Sequence, residues 1–145
     1  MSKHDDSLNF LKSLKSKDKN YFKDPLVKPK IIEGVIHAAD ISNGSRPFEI
    51  AKRWGERIFK EFFSQGDKEK ALGLEISMLC DRSTENFASC QINFLSGMIL
   101  PYYTSLQPII PRLEEQCKQL KSNIEDYKKK VEEFEEVKAK GNILF

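Results

Sequence analysis

The amino-acid sequence predicts an all-α protein folded as a compact multi-helix bundle. Apolar residues recur at steps of three and four in several separate segments, which is the spacing of one face of an α-helix. Glycine is sparse, with seven in 145 residues, and no segment alternates apolar and polar residues between hairpin turns. A chain of this length can bury the hydrophobic core of one domain. Helices are therefore favoured over strands throughout.

Residues 1–29 are a charged lead-in, which we expect to be poorly ordered. The first thirty residues contain eight lysines and four aspartates, and Pro25 and Pro29 interrupt any regular element. Charged termini of this kind are usually solvated and seldom act as binding arms. One short amphipathic helix can form from the apolar residues of the lead-in, which are Leu8, Phe10, Leu11 and Leu14.

Two helices are predicted on either side of a polar turn at 42–45. The first covers about 28–39 and the second covers 47–64, with Pro47 in the first turn, where its missing N–H costs nothing. Gln65, Gly66 and Asp67 are expected to break the second helix, and a short helix over 67–72 then leads into a loop. The residues predicted to be buried are Ile32, Val35, Ile36 and Ala39 in the first helix and Ala51, Trp54, Ile58 and Phe62 in the second.

A long helix is predicted from Thr84 to about Tyr103. Asp81 or Ser83 can cap its first turn, and Pro101 is expected to bend or end it. The residues predicted to be buried along it are Phe87, Cys90 or Gln91, Phe94, Leu95 and Met98.

The last segment, after Pro111, has apolar residues at alternating steps of four and three, the pattern of a helix that packs along a partner. These residues are Leu113, Cys117, Leu120, Ile124, Tyr127, Val131 and Phe134. The partner is either the chain's own core, which we favour, or a second molecule, with a dimer formed through Leu113, Leu120, Ile124 and Val131. We divide the chain into the lead-in at 1–29, a core at 30–111, and a C-terminal amphipathic helix and tail at 112–145.

Composition and charge argue against several classes of protein. A formal net charge of +2 gives no electrostatic case for a nucleic-acid partner. No apolar run approaches the length of a membrane span, and no signal-peptide pattern precedes the first charged residues. Cys80, Cys90 and Cys117 fit no metal-binding spacing and are interpreted as reduced thiols, so we expect a cytoplasmic protein.

Asp40 is an ionisable residue predicted to lie on an apolar helix face, one turn after Ile36. A carboxylate removed from water is costly unless a cation or hydrogen-bond donors compensate it. A metal ion is the sharpest candidate, whereas a salt bridge or a helix cap is the simpler interpretation. His37 can share this face, but a His/Asp pair three residues apart is weak evidence for shared ligation.

Gln91 is a second polar residue on an apolar face, one turn before Phe94. An amide beside an aromatic ring suits a flat heteroaromatic ligand, with the amide bonding to its edge and the ring stacking on its face. The simpler interpretation is a hydrogen bond from Gln91 to nearby backbone, with Phe94 in the core. The sequence contains no HExxH, CxxC, phosphate-binding glycine loop or nucleophile elbow that would complete a catalytic site.

The order of these segments resembles the C-terminal half of the catalytic domain of class I 3′,5′-cyclic-nucleotide phosphodiesterases. The similarity is collinear from about Lys30 to Leu100. It comprises HAADISN at 37–43, RP at 46–47, RW at 53–54, EFFSQGDKE at 61–69, LGLEIS at 72–77, DR at 81–82 and QINF at 91–94. The resemblance implies part of an all-α, HD-type catalytic domain, with cAMP or cGMP as its substrate.

The resemblance also implies roles for individual residues. Asp40 corresponds to a metal-ligating aspartate, whereas His37 falls at a position that is not a ligand. Gln91 corresponds to a purine-binding glutamine, with Phe94 and Ile58 as opposite walls of a hydrophobic clamp. The other residues implied to lie near the nucleotide are Asn43, Phe62 and Leu79.

The family's chemistry implies divalent cations, Zn²⁺ together with Mg²⁺ or Mn²⁺, which activate a hydroxide that attacks the cyclic phosphate while a histidine protonates the leaving oxygen. That histidine and the other metal ligands belong to HNxxHA-like and HD-like segments that this sequence lacks, so no catalytic residue is assigned. Gly44 replaces the proline common after Asn43, and Ser83 replaces a histidine often found after Asp81-Arg82. We therefore expect a fragment of the domain with little or no activity of its own.

Three functions remain open at this point. The chain is part of a phosphodiesterase that hydrolyses cAMP or cGMP, a non-catalytic helical module that binds nucleotide or pairs with another subunit, or a remnant that does not fold alone. Half of a helical domain exposes the face that the missing half would cover. The choice between cAMP and cGMP is not determined, because the Gln91 amide can present either orientation.

Overall fold

The computed structural model describes residues 2–14 and 19–139, and the regular structure of these residues is entirely helical. Their α-helices are α1 (Ser2–Ser13), α2 (Val27–Asp40), α3 (Phe48–Ala71), α4 (Phe87–Phe94), α5 (Leu100–Leu106) and α6 (Glu114–Ala139). Short 3-10 turns lie at Lys19–Phe22, Ser42–Ser45 and Pro111–Leu113, and a π-helical turn at Leu95–Ile99 joins α4 to α5. The all-α prediction is confirmed. Within the described ranges, no helix combines the length and apolar character needed to cross a membrane.

The centre of the core lies between the α4–α5 segment and α6. The side chains of Leu95, Ile99, Tyr102, Leu106 and Leu120 are all fully buried there. Apolar residues that recur every turn on two neighbouring helices remove a continuous strip of surface from water, which is the main source of stability in such a bundle. The α4–α5 segment and α6 therefore form the frame on which the other helices pack.

The apolar seam of α6 packs on this core. Cys117, Leu120, Ile124 and Tyr127 are buried within the chain, as expected for the favoured packing on its own core. The alternative dimer through Leu113, Leu120, Ile124 and Val131 is wrong at Leu120 and Ile124, because the core already covers both side chains. The side chain of Phe134 and the tail at 140–145 lie outside the described residues.

Helix α1 packs on α5 and α2, so residues 2–14 are not the solvated segment that was expected. Leu11 is only 1% exposed and belongs to the main core. The hydroxyls of Ser7 and Tyr102 are hydrogen-bonded at 2.6 Å. The short amphipathic helix predicted from Leu8 to Leu14 does form, and burial of its apolar side outweighs the charge of the lead-in. The boundary at residue 29 stays a prediction.

Helix α2 begins and ends within one residue of the prediction, but it packs through a different face. Its buried residues are Ile31, Gly34 and Ala38, whereas Ile32, Val35 and Ile36 are 49%, 36% and 64% exposed. A Cβ atom added to Gly34 would lie 3.3 Å from Tyr102 Oη. The helix therefore packs through the face that contains Ile31, Gly34 and Ala38, and the face predicted to be buried is exposed. Ala39 and Asp40 are exposed as well, so the predicted burial of Asp40 is wrong.

Helix α3 is continuous from Phe48 to Ala71, so the predicted break at 65–67 and the separate helix after it are wrong. Gly66 lies within this helix and lets the backbone of the following loop approach, because a Cβ atom there would lie 2.0 Å from the carbonyl oxygen of Cys80. The predicted buried stripe holds at Ala51, but Trp54 is 48% exposed. The buried side of the helix is instead formed by Ala51, Gly55, Phe59 and Gly66.

The predicted long helix begins three residues late, at Phe87. Its cap is Asn86, whose side-chain Oδ1 accepts a 2.9 Å hydrogen bond from the Ser89 N–H. Asp81 instead accepts hydrogen bonds from the Ser83 hydroxyl and the Ser83 N–H, which lower the pKa of its carboxyl, so neither predicted cap is used. Pro101 does not end the helix; the π-helical turn lies just before it, where a residue without an N–H disturbs the ladder.

Candidate functional site

An open groove of about 500 Å³ lies where α2 ends and α3 begins. It is lined by Asp40, Ser42, Asn43, Arg46, Ile50, Trp54 and Ile58. Three residues that the sequence singled out, Asp40, Asn43 and Ile58, therefore meet in one place. Ile50, Trp54 and Ile58 form its apolar wall because they are four residues apart on α3. The stripe that was predicted to be core thus contributes the wall of the groove.

Arg46 and Ile50 line the groove but were not predicted as site residues. Ile50 is 47% exposed, and it extends the Trp54–Ile58 series by one turn towards the helix start. The four-residue spacing from Trp54 could therefore have predicted Ile50 as part of this wall. Arg46 follows the 42–45 turn. Its positive charge, next to Pro47, is the one feature of the sequence that could have suggested a role in the site.

Asp40 is the last residue of α2, and its exposed carboxylate reaches the groove alone. Among the described residues, no group of three histidine, cysteine, aspartate or glutamate side chains could hold a metal ion. His37 is engaged elsewhere, since its Nε2 lies 2.8 Å from Nδ1 of His4 and its ring packs edge-on against Tyr102. The donor set present supplies one carboxylate, which does not fit a complete metal centre.

The 42–45 turn carries Asn43 into the groove and is packed tightly from behind. Asn43 Oδ1 accepts a 2.8 Å hydrogen bond from the Gly44 N–H. A Cβ atom at Gly44 would lie 2.3 Å from Leu95 Cδ2 and 3.1 Å from Ile99 Cδ1. Any residue larger than glycine at position 44 would therefore require the side chains of Leu95 and Ile99 to shift.

Gln91 is buried, as predicted, and is only 8% exposed. Its side chain lies across Gly55 of α3: a Cβ atom at Gly55 would be 3.1 Å from both Cδ and Nε2 of the amide and 3.2 Å from Phe87. Gly55 thus makes room for the amide beside the helix that carries Trp54 and Ile58. Gln91 is not among the residues that line the groove.

Phe62, Leu79 and Phe94 are also outside the groove lining. Phe94 is partly buried against the main core, and the ring of Phe62 packs 5.9 Å from that of Phe59. Leu79 has a φ of 68°, a left-handed conformation that is uncommon for leucine and was not foreseen from the sequence. The structure brings Asp40, Asn43 and Ile58 together in the groove, whereas the other residues predicted to contact the nucleotide do not line it.

The loop that carries Leu79 is tied to the end of α3. Glu69 accepts hydrogen bonds from the Ser77 N–H at 2.7 Å and from the Ser77 hydroxyl at 2.8 Å. The bond from the Ser77 backbone, together with bonds from the Gln65 and Ser77 side chains, lowers the pKa of the Glu69 carboxyl. Arg82 pairs with Asp67 in the same region through two nitrogen–oxygen contacts. These bonds fix the loop relative to α3.

The class of fold follows from a comparison with solved structures. The structure titled "Structure of LmjPDEB1 in complex with IBMX" superposes with a TM-score of 0.81 at 25% identity, covering 91% of this chain and 40% of that one. The fold is thus that of a helical phosphodiesterase domain, represented in part. The family model described as 3′5′-cyclic nucleotide phosphodiesterase matches residues 1–120. The chain belongs to this family.

Curated relatives agree with this assignment. The chain is 36% identical over 107 residues to "Probable 3′,5′-cyclic-AMP phosphodiesterase pde-4" of Caenorhabditis elegans, which covers 73% of this chain and 16% of the relative. It is 32% identical over 103 residues to "3′,5′-cyclic-AMP phosphodiesterase 4C" of Mus musculus, covering 70% of this chain and 15% of the relative. The chain therefore spans about one sixth of the length of these relatives.

Proposed function

We propose that the chain forms the nucleotide-contacting part of a 3′,5′-cyclic-nucleotide phosphodiesterase, acting in hydrolysis of a cyclic nucleotide to its 5′-monophosphate. The observation that carries this proposal is the groove in which Asp40, Asn43 and Ile58 meet, in a chain of this family. We place cAMP first among the substrates because the relatives are named for it, with cGMP as the comparison.

The groove offers complementary chemistry to a cyclic nucleotide. Arg46 and the Asn43 amide supply a positive charge and hydrogen bonds for the phosphate and ribose, and Ile58 with Trp54 supplies an apolar wall for the base. Gln91, Phe94, Phe62 and Leu79 are assigned to the base-binding side of the site around α3. Small movements of the α3 wall would decide how far the base reaches towards the Gln91 amide.

Metal chemistry is the part of the reaction that these residues do not assemble. A divalent cation such as Zn²⁺, Mg²⁺ or Mn²⁺ would supply an activated water and neutralise phosphate charge. Asp40 is assigned as one carboxylate ligand, and the described residues offer no second and third ligand beside it. We therefore propose nucleotide binding, and not turnover, for the chain on its own.

A cytoplasmic location is also part of this proposal. It is supported by the three free cysteines, which are typical of a reducing compartment.

Calorimetric titration of cAMP into the purified chain tests the proposal. Ile58→Ala and Gln91→Leu are expected to weaken binding about fivefold to tenfold each, the effect of one lost contact or hydrogen bond. Ile32→Ala is the matched control, because Ile32 is an exposed isoleucine on α2 outside the groove.

A parallel assay follows cAMP hydrolysis in the presence of Zn²⁺ and Mg²⁺. No 5′-monophosphate is expected from the isolated chain. Turnover that is abolished by Asp40→Ala would contradict the view that the chain lacks a complete metal centre. Binding of cAMP that neither Ile58→Ala nor Gln91→Leu weakens would contradict the assignment of the site.

A further inference from the structure

Asn123 is a fully buried polar residue in the apolar seam of α6. Its side-chain Nδ2 donates to the carbonyl oxygen of Gly44 and to that of Arg46, each at 2.8 Å. Its Oδ1 accepts a 2.9 Å hydrogen bond from Gln119 Nε2. Both N–H groups of the amide and its oxygen are therefore used, and the two donors reach a segment 77 and 79 residues away.

The two acceptors lie on the 42–46 segment, which bears Asn43 and Arg46 of the groove. Holding the carbonyls of Gly44 and Arg46 fixes the Gly44–Ser45 and Arg46–Pro47 peptide planes, and the second of these leads directly into α3. From the other side, Leu95 packs on Gly44. A buried donor pair of this kind is costly to leave unsatisfied, so it specifies one conformation of the turn.

We infer that Asn123 is a positioning residue for the groove: it holds the 42–46 segment so that Asn43 and Arg46 face the nucleotide. The inference rests on the proposed function for the identity of the ligand, whereas the geometry of the segment does not depend on it. Asn123 lies on α6, behind the segment, and does not line the groove. It acts on the ligand only through the backbone that it holds.

The test compares Asn123→Asp with Ile124→Ala in the whole chain. Aspartate keeps the shape of asparagine but places oxygens against the two carbonyl oxygens, so it removes both donors. Ile124 is the next residue of α6; it is buried in the main core and contributes no hydrogen bond to the segment. Two readouts are taken, the ¹⁵N–¹H resonances of Asn43, Gly44 and Arg46, and the dissociation constant of cAMP.

Asn123→Asp is expected to shift the resonances of these three residues and to weaken cAMP binding at least tenfold. Ile124→Ala is expected to lower stability while leaving those resonances in place and the dissociation constant within twofold. Equal effects of the two variants, or unchanged resonances in Asn123→Asp, would overturn the inference. If the unaltered chain binds no cAMP, the proposed function fails, and the resonances still decide the role of Asn123.

Gln119→Ala provides a second variant in case Asn123→Asp does not fold. It removes only the donor to Asn123 Oδ1, so it frees the amide to rotate while leaving Asn123 in place. The same resonances are expected to shift by a smaller amount. If they are unmoved, the amide does not depend on Gln119 for its orientation and does not control the segment as inferred.

Discussion

His4 and His37 form a partly buried contact that joins α1 to α2. Their facing nitrogens are 2.8 Å apart, and both rings pack around Tyr102. A hydrogen bond between two imidazoles requires one neutral ring to accept. Burial, followed by the nearby charge of His37, lowers the pKa of His4 from its ordinary value of 6.5. The contact is thus suited to neutral pH.

The free energy of unfolding is expected to decrease as the pH is lowered below about 6.5. Because the folded-state pKa of His4 lies below its unfolded value, the unfolded chain binds more protons in this range. The contribution of His4 is complete above the unfolded pKa and is lost as pH falls through the folded pKa. Urea unfolding at several pH values between 5 and 8 measures the effect, and His4→Phe is expected to show a weaker dependence. An identical pH dependence in the variant would contradict this role.

Asp40 shows the limit of prediction at the scale of a residue. Helical spacing placed it beside Ile36, and that relation holds, but both are exposed. Spacing fixes which residues share a face, whereas the choice of buried face depends on the neighbouring helices. Here Gly34 permits the close approach of Tyr102 and Leu11, so the face of α2 that contains Gly34, and not the face that contains Ile36, is buried. The sequence of α2 alone contains no sign of those neighbours.

At the scale of elements, helices were predictable where apolar spacing runs uninterrupted. The extents of α2 and the burial of the α6 seam follow from that pattern. The break predicted at Gly66 is wrong, and of the two outcomes expected at Pro101, a bend or an end, the helix does not end there. The carbonyl of Cys80 packs against Gly66 within the continuous helix. At Pro101 the helix changes to a π-helical turn just before the proline.

Gly66→Ala is expected to destabilise the chain by about 1–3 kcal/mol or more, the usual cost of overpacking a tight contact. Its added Cβ atom would lie 2.0 Å from a backbone oxygen, which cannot rotate away. Gly97→Ala is the matched control, because nothing lies within 4 Å of its added Cβ atom. That variant is expected to be neutral or up to about 1 kcal/mol more stable. Chemical denaturation of both proteins provides the comparison, and equal stability of the two would refute the proposed contact.

The orientation of α2 is tested by two isoleucines on the same helix. Ile31 is 2% exposed and Ile36 is 64% exposed. Ile31→Ala is expected to lower the free energy of unfolding by about 2–4 kcal/mol, whereas Ile36→Ala is expected to change it by about 0.5 kcal/mol or less. Thermal and urea unfolding measure both. The reverse order would restore the face predicted from the sequence.

At the scale of the whole molecule, this chain represents only part of the proteins that it resembles. The chain matches 40% of a solved phosphodiesterase chain and about one sixth of the length of its curated relatives. The family motifs in the sequence are sufficient to propose the individual site residues. Their grouping into a groove with Arg46 and Ile50, and the hold of Asn123 on the 42–46 segment, depend on contacts far apart in sequence.

The most direct test of the account is a titration of the ¹⁵N-labelled chain with cAMP, followed residue by residue. Saturable shifts are expected at Asn43, Arg46 and Ile58 and at the side-chain amide of Gln91, with Ile32 and Ile36 unaffected. These shifts would place the nucleotide in the groove between α2 and α3. An absence of saturable shifts, or shifts confined to residues outside the groove, would contradict the assignment of this chain as the nucleotide-contacting part of a phosphodiesterase.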